Sequence, residues 1–148
     1  MLSTHYRRLV RASGIYDLIA TAAFATPWTF AILHQLLGQF SPLPPFAPLH
    51  VLLANLLGSV VIVWSVLRVW NPQSIFGLFD SFARALFFTW QLYYLLAMDG
   101  APILWFFAVP ELIFGLLQGY GYWLLHKVST GSPTNCRVVR RFAAAGAC

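Results

Sequence analysis

The chain has 148 residues, of which 59% are hydrophobic and 9% charged, and its mean hydropathy is +0.72. A soluble domain carries about 25% charged residues, so this composition excludes a water-soluble globule and predicts one domain inside a lipid bilayer. The formal net charge of +5 does not argue for nucleic acid, because the basic residues stand at the ends of apolar runs and form no patch with exposed aromatics.

Residues 1–12 (MLSTHYRRLVRA) hold Arg7, Arg8 and Arg11, which predicts a short basic amphipathic lead-in at the headgroup level. A first span is expected over 13–37. Its basic start and the small residues Ala23 and Ala25 imitate a signal peptide, but its apolar run is longer and contains Asp17, so it reads as a mature helix. Pro27 should bend that helix near its middle. Residues 38–49 carry four prolines and no charge, the composition of a stiff loop. The second span, 50–70, is ended by Asn71-Pro72, and a short turn leads to the third, 77–98. Asp99-Gly100-Ala101 then turns the chain into the fourth, 102–126.

The expected fold class is therefore all-α: an integral membrane four-helix up-down-up-down bundle over 13–127, followed by a mostly disordered tail over 128–148. The two halves share neither proline placement nor acidic positions, so no inverted repeat is indicated. Cys136 and Cys148 both fall in the tail, where neither a structural disulfide nor a metal site is expected. Lysine and arginine set the orientation. Arg7, Arg8 and Arg11 precede the first span, Arg68 flanks the turn after the second, and Lys127, Arg137, Arg140 and Arg141 follow the fourth. The positive-inside rule then places both termini in the cytoplasm, for a multi-pass protein of the inner (plasma) membrane.

The fourth span, PILWFFAVPELIFGLLQGYGYWLLH, is about 25 residues at ~1.5 Å each, enough to cross a hydrocarbon core of roughly 30 Å. Glu111 lies near its middle, directly after Pro110, and an ionisable group at that depth is a functional-site candidate. Each span carries its polar residues on one stripe. Asp80, Arg84, Gln91 and Tyr94 share the third, and Glu111, Gly115, Gln118, Tyr122 and His126 the fourth. Asp17, Thr21, Trp28 and Gln35 belong to the first, and Asn55, Gly58 and Ser59 to the second.

Asp80 and Arg84 are an i, i+4 pair, and Asp17 stands at matching depth, which predicts an ion-pair cluster of Asp17, Asp80 and Arg84. Its plain role is to glue helices together. Three carboxylates facing one arginine leave a negative excess, so Glu111 is expected to be protonated and to act as the catalytic acid or hydrogen-bond anchor. Gln91, Tyr94, Gln118, Tyr122, Trp28 and Asn55 are the candidate ligand-binding residues around it. Gly115 and Gly119 form a small-xxx-small pair, the usual sign of close helix packing. His34 and His50 meet near the proline-rich loop without a carboxylate, too few ligands for a metal site. No metal or cofactor is expected, since there is no nucleophile motif, phosphate loop or CxxC.

Three functional classes fit. The first is a protein that binds or chemically transforms a lipophilic small molecule in a polar intramembrane cavity; whether it is an enzyme stays open. The second is a proton-coupled small-molecule exporter acting as a homodimer. The third is a non-catalytic subunit of a larger membrane complex. The four short-looped spans with acidic residues in the first, third and fourth, together with Tyr16-Asp17 and Pro110-Glu111, resemble the small bacterial inner-membrane proteins of the DoxX-like group over residues 13 to 126. That resemblance implies a four-helix inner-membrane fold and, for some members, a subunit role in quinone-linked oxidoreductases; it assigns no functional residue. The plan is also similar to the four-helix sterol-isomerase-like membrane fold, although the acidic positions do not line up with it.

Overall fold

The computed structural model describes residues 2–41 and 43–130, the side chains of the last two excepted, so the tail with its cysteines and three arginines lies outside the described residues. The chain is all-helical. Five helices follow one another: α1 (Leu2–Thr21), α2 (Pro27–Gly38), α3 (Pro48–Trp70), α4 (Ser74–Ala97) and α5 (Leu104–Thr130). Of these, α3 and α5 are by length and composition capable of crossing a membrane, and α1 and α2 qualify as a pair if they count as one broken span. With 24 residues, α4 is long enough; its polar stripe keeps it from the same class.

The boundary between lead-in and first span at residues 12 and 13 does not exist as a break, because α1 runs through it. The break comes later and is far sharper than a proline bend. A 3-10 turn over Ala22–Phe24 follows α1, and α2 then leaves at 97° to it. The residue before a proline is pushed to extended backbone, and Thr26 sits at φ −130, ψ 150. Its Oγ1 accepts from Thr29 N–H at 3.2 Å, and Pro27 fills the first helical position, where its missing N–H costs nothing. Thr26-Pro27 therefore starts a new helix.

Helix α1 packs mainly along α3 and also meets α4 and α5, while α4 and α5 pack along each other as a hairpin. Glycines let these backbones approach. A Cβ on Gly14 would stand 3.0 Å from the Ser65 carbonyl oxygen, and one on Gly119 2.8 Å from Ser81 Oγ. Gly58, where α3 meets the break, fits closely against backbone of another element: a Cβ there would lie 2.7 Å from the Phe24 carbonyl carbon and 2.8 Å from the Ala25 nitrogen. Backbone cannot swing aside as a side chain can. Gly58→Ala is expected to lower stability by about 1–3 kcal/mol, as overpacking does; thermal unfolding in detergent measures it, and an unchanged midpoint would show the break to be soft.

The distribution of residue types is inverted relative to a soluble protein. The largest fully buried side chains are Arg68, Arg84, Gln118, Val10, Ser13 and Ser65, whereas Val60, Val63, Leu86, Leu116 and Phe106 are each more than 60% exposed. Water-soluble chains rarely bury arginine without a large apolar core around it, and they rarely expose apolar faces of this extent.

Candidate functional site: a buried charge cluster

Five ionisable side chains from four helices meet in the interior: Asp17 on α1, Arg68 on α3, Asp80 and Arg84 on α4, and Glu111 on α5. Arg84 is the centre of the chain of contacts. Its Nε donates to Asp80 Oδ2 at 3.0 Å, its Nη2 to both carboxylate oxygens of Asp17 at 2.8 Å, and its Nη1 to Glu111 Oε2 at 2.9 Å. Arg68 spans the same two aspartates, donating from Nη2 to Asp17 Oδ2 and from Nη1 to Asp80 Oδ2. A planar guanidinium with five fixed donors suits such a double bridge better than an ammonium does.

Neutral groups complete the cluster. Ser13 Oγ accepts from Arg68 Nη1 at 2.9 Å and from Arg84 Nη2 at 2.8 Å, and donates to Asp80 Oδ2 at 2.8 Å. Trp64 Nε1 donates to Asp80 Oδ1 at 3.1 Å, and Arg68 Nη2 to Ser65 Oγ at 3.1 Å. Aromatic rings close the sides: the Arg68 guanidinium lies 5.5 Å from the Trp64 ring centre and that of Arg84 5.1 Å from Phe114, which in turn packs on Tyr16. Burial of so many charges is tolerable only because nearly every one is paired and hydrogen-bonded.

Two expectations need correction. The ion-pair cluster expected of Asp17, Asp80 and Arg84 also takes in Glu111, since one guanidinium nitrogen of Arg84 is directed to it; a single forked side chain serves three carboxylates because its donors point three ways. Nor is Arg84 the lone cation. Arg68 is fully buried in the cluster rather than marking the end of a span, and Ser13 is its hydroxyl hub. The formal count is three carboxylates to two guanidinium groups, an excess of one negative charge. Glu111 is the most accessible member, its side chain 14% exposed against 10% or less for the other four. Among the described residues its Oε1 has no hydrogen-bond partner.

No family model, curated protein or solved structure matches the chain.

The candidate ligand residues do not gather in one place. Gln91 lies seven residues beyond Arg84, on the same face of α4, and its Oε1 is buried without a partner. Tyr94 is ten residues on, about 80° round the helix from Arg84, and is exposed. Trp28 is 76% exposed, because α2 turns away and does not continue the face of α1. Asn55 stands one turn from Gly58 with an unpartnered Oδ1, near the helix break instead of the charges. Gln118 is fully buried on the opposite side of the cluster from Gln91. Its carbonyl accepts from Tyr6 OH at 2.9 Å, while neither side-chain amide atom has a partner. Tyr122, one turn further along α5, is half-buried and packs edge-on against His126. Gly115 and Gly119 do meet α4: Ser81 Oγ donates to the Gly115 carbonyl at 2.9 Å. His34 donates from Nε2 to the Pro44 carbonyl at 3.2 Å, and His50 Nδ1 accepts from Ala47 N–H, so both histidines hold the proline-rich loop.

Proposed function

We propose that the protein is a small multi-pass membrane protein, with α1 and α2 as one broken span and α3, α4 and α5 as three more, and that it binds a lipophilic small molecule whose polar group is held by Glu111. The outward apolar faces and inward charges support the membrane placement. The exposed arginines at the start of α1 and the basic residues from Lys127 onward favour cytoplasmic termini in an inner membrane. A reporter that works only outside the cytoplasm, fused to the C-terminus, should stay silent; activity there would overturn the orientation.

One observation carries the ligand reading: the chain of ion pairs ends in a carboxylate with one oxygen tied to Arg84 and the other free, in a cluster carrying one negative charge too many. Such an end suits a ligand that brings a hydrogen-bond donor or a cation, a hydroxyl or an amine on an apolar body. Trp64, Phe114 and Tyr16 give the surroundings an apolar character without competing for that oxygen. In purified protein in nanodiscs, a long-chain alcohol and a long-chain alkylamine are the probes. Glu111→Gln keeps an acceptor for Arg84 and should fold with an unchanged unfolding midpoint, yet weaken binding of the amine about tenfold, roughly 1.4 kcal/mol. Equal binding by the variant would reduce Glu111 to helix glue.

A further inference from the structure

The geometry points to a binding groove for an anionic phospholipid between the start of α1 and the last turns of α5. It rests on the membrane placement proposed above, not on any role of Glu111. The first observation is a charge ledger for the whole chain. There are four side-chain carboxylates. Three of them, Asp17, Asp80 and Glu111, are consumed in the interior by Arg68 and Arg84. The fourth, Asp99, is on the turn between α4 and α5, at the other end of the molecule from the start of α1. Arg7, Arg8 and Arg11 are exposed and, among the described residues, enter no ion pair with any carboxylate. Residues 131–148 add arginines and no Asp or Glu. None of the four side-chain carboxylates in these 148 residues is at hand for that end, which leaves its arginines open to an external anion.

The second observation is a shallow apolar pocket of about 180 Å³ at the same end, lined by Leu2, His5, Tyr6, Leu9 and Gly121. Its floor is built. Tyr6 is held by its bond to the Gln118 carbonyl and lies over Gly121, where a Cβ would stand 2.7 Å from the ring. Tyr6 and Val10 also rest on Gly77, in the first turn of α4. The pocket is therefore level with the turn between α3 and α4, where a membrane-crossing segment ends. Arg8 falls between the lining residues His5 and Leu9 and projects about 60° round the helix from His5. An acyl chain against Leu2, Leu9 and the Tyr6 ring, with its phosphate reaching up to Arg8 and lying in the field of Arg7 and Arg11 on the far side of the helix, satisfies both halves of the surface. A nucleic acid or an acidic protein would match the arginines alone and leave the pocket without an occupant.

The test titrates the purified full chain in neutral detergent with phosphatidylglycerol, phosphatidylcholine, glycerol phosphate or a short DNA duplex, following the thermal unfolding midpoint. Phosphatidylglycerol should raise it; phosphatidylcholine, which lacks the net charge, and glycerol phosphate, which lacks the chains, should not. Arg7, Arg8 and Arg11 changed together to Gln should weaken the apparent phosphatidylglycerol affinity by roughly fivefold per arginine, with the midpoint in phosphatidylcholine unchanged as proof of folding. Leu9→Asn, which keeps every charge, should weaken it as well. Glu111→Gln should leave it intact, which separates this proposal from the ligand reading. A response to phosphatidylcholine or glycerol phosphate equal to that for phosphatidylglycerol would overturn the proposal. So would an equal response to DNA, in favour of general polyanion binding, or an arginine-free variant that responds like the parent.

Discussion

An Arg84→Leu variant is expected to lose about 3–5 kcal/mol of stability, the usual cost of removing one partner from a buried ion pair, and to be recovered in low folded yield. The pattern of rescue is more telling than the loss. Without Arg84, Asp17 and Asp80 still face Arg68, but Glu111 loses the one guanidinium it has. Adding Glu111→Gln should therefore restore more stability than adding Asp80→Asn, although both double variants carry the same formal charge. Thermal unfolding of the two doubles beside the single decides it. If Asp80→Asn rescues as well or better, the Arg84 to Glu111 contact does not hold in solution.

Arg68→Leu is expected to be nearly as damaging, by about 3–5 kcal/mol, and Arg68→Lys to recover only part of the loss, leaving a deficit of about 1.5–3 kcal/mol. The reason is geometric. Arg68 reaches Asp17 and Asp80 from two separate nitrogens held in one plane, and a lysine has one nitrogen for both. The same conservative change at Arg7, Arg8 or Arg11, which are exposed, should leave the unfolding midpoint where it was. A boundary role for Arg68 would instead make Arg68→Lys harmless, as it is for those three.

Much of the helical outline is legible in the sequence because its punctuation is strong. Pro48 and Asn71-Pro72 bracket α3, and Asp99, with its left-handed φ of 47, ends the α4 side of the next turn. The spacing of Asp80 and Arg84 puts them on one face, and the depth of Asp17 follows from counting residues. Arg68 escapes that counting. It stands two residues from the end of α3, where a basic residue ordinarily faces headgroups. Yet Cβ atoms lean toward a helix's N-terminus, so an arginine at the C-terminal end of a span leans back into the interior by about a turn. The usable signal was the run Trp64-Ser65-xx-Arg68, which sets an indole donor, a small hydroxyl and the guanidinium on one side. Ser13 was missed because a serine among apolar residues carries no charge to count, although it lies one turn before Asp17. The 97° departure of α2 was not legible because a proline inside an apolar run reads equally as a bend and as a start; the Thr26 cap decides between them, through a contact that spacing does not encode.

The placement of α1 among the other helices also bears on how the protein is made. Asp17 leaves the ribosome early, but its two guanidinium partners follow 51 and 67 residues later. Until α3 and α4 have emerged, the first helix carries a carboxylate whose two guanidinium partners are not yet there to meet it. With the membrane placement proposed above, insertion would not be a sequence of independent helices going in one by one. On that placement the opening segment would wait at the translocation machinery, or near the bilayer surface, until α4 brings Arg84, and the segments that share the cluster would commit together.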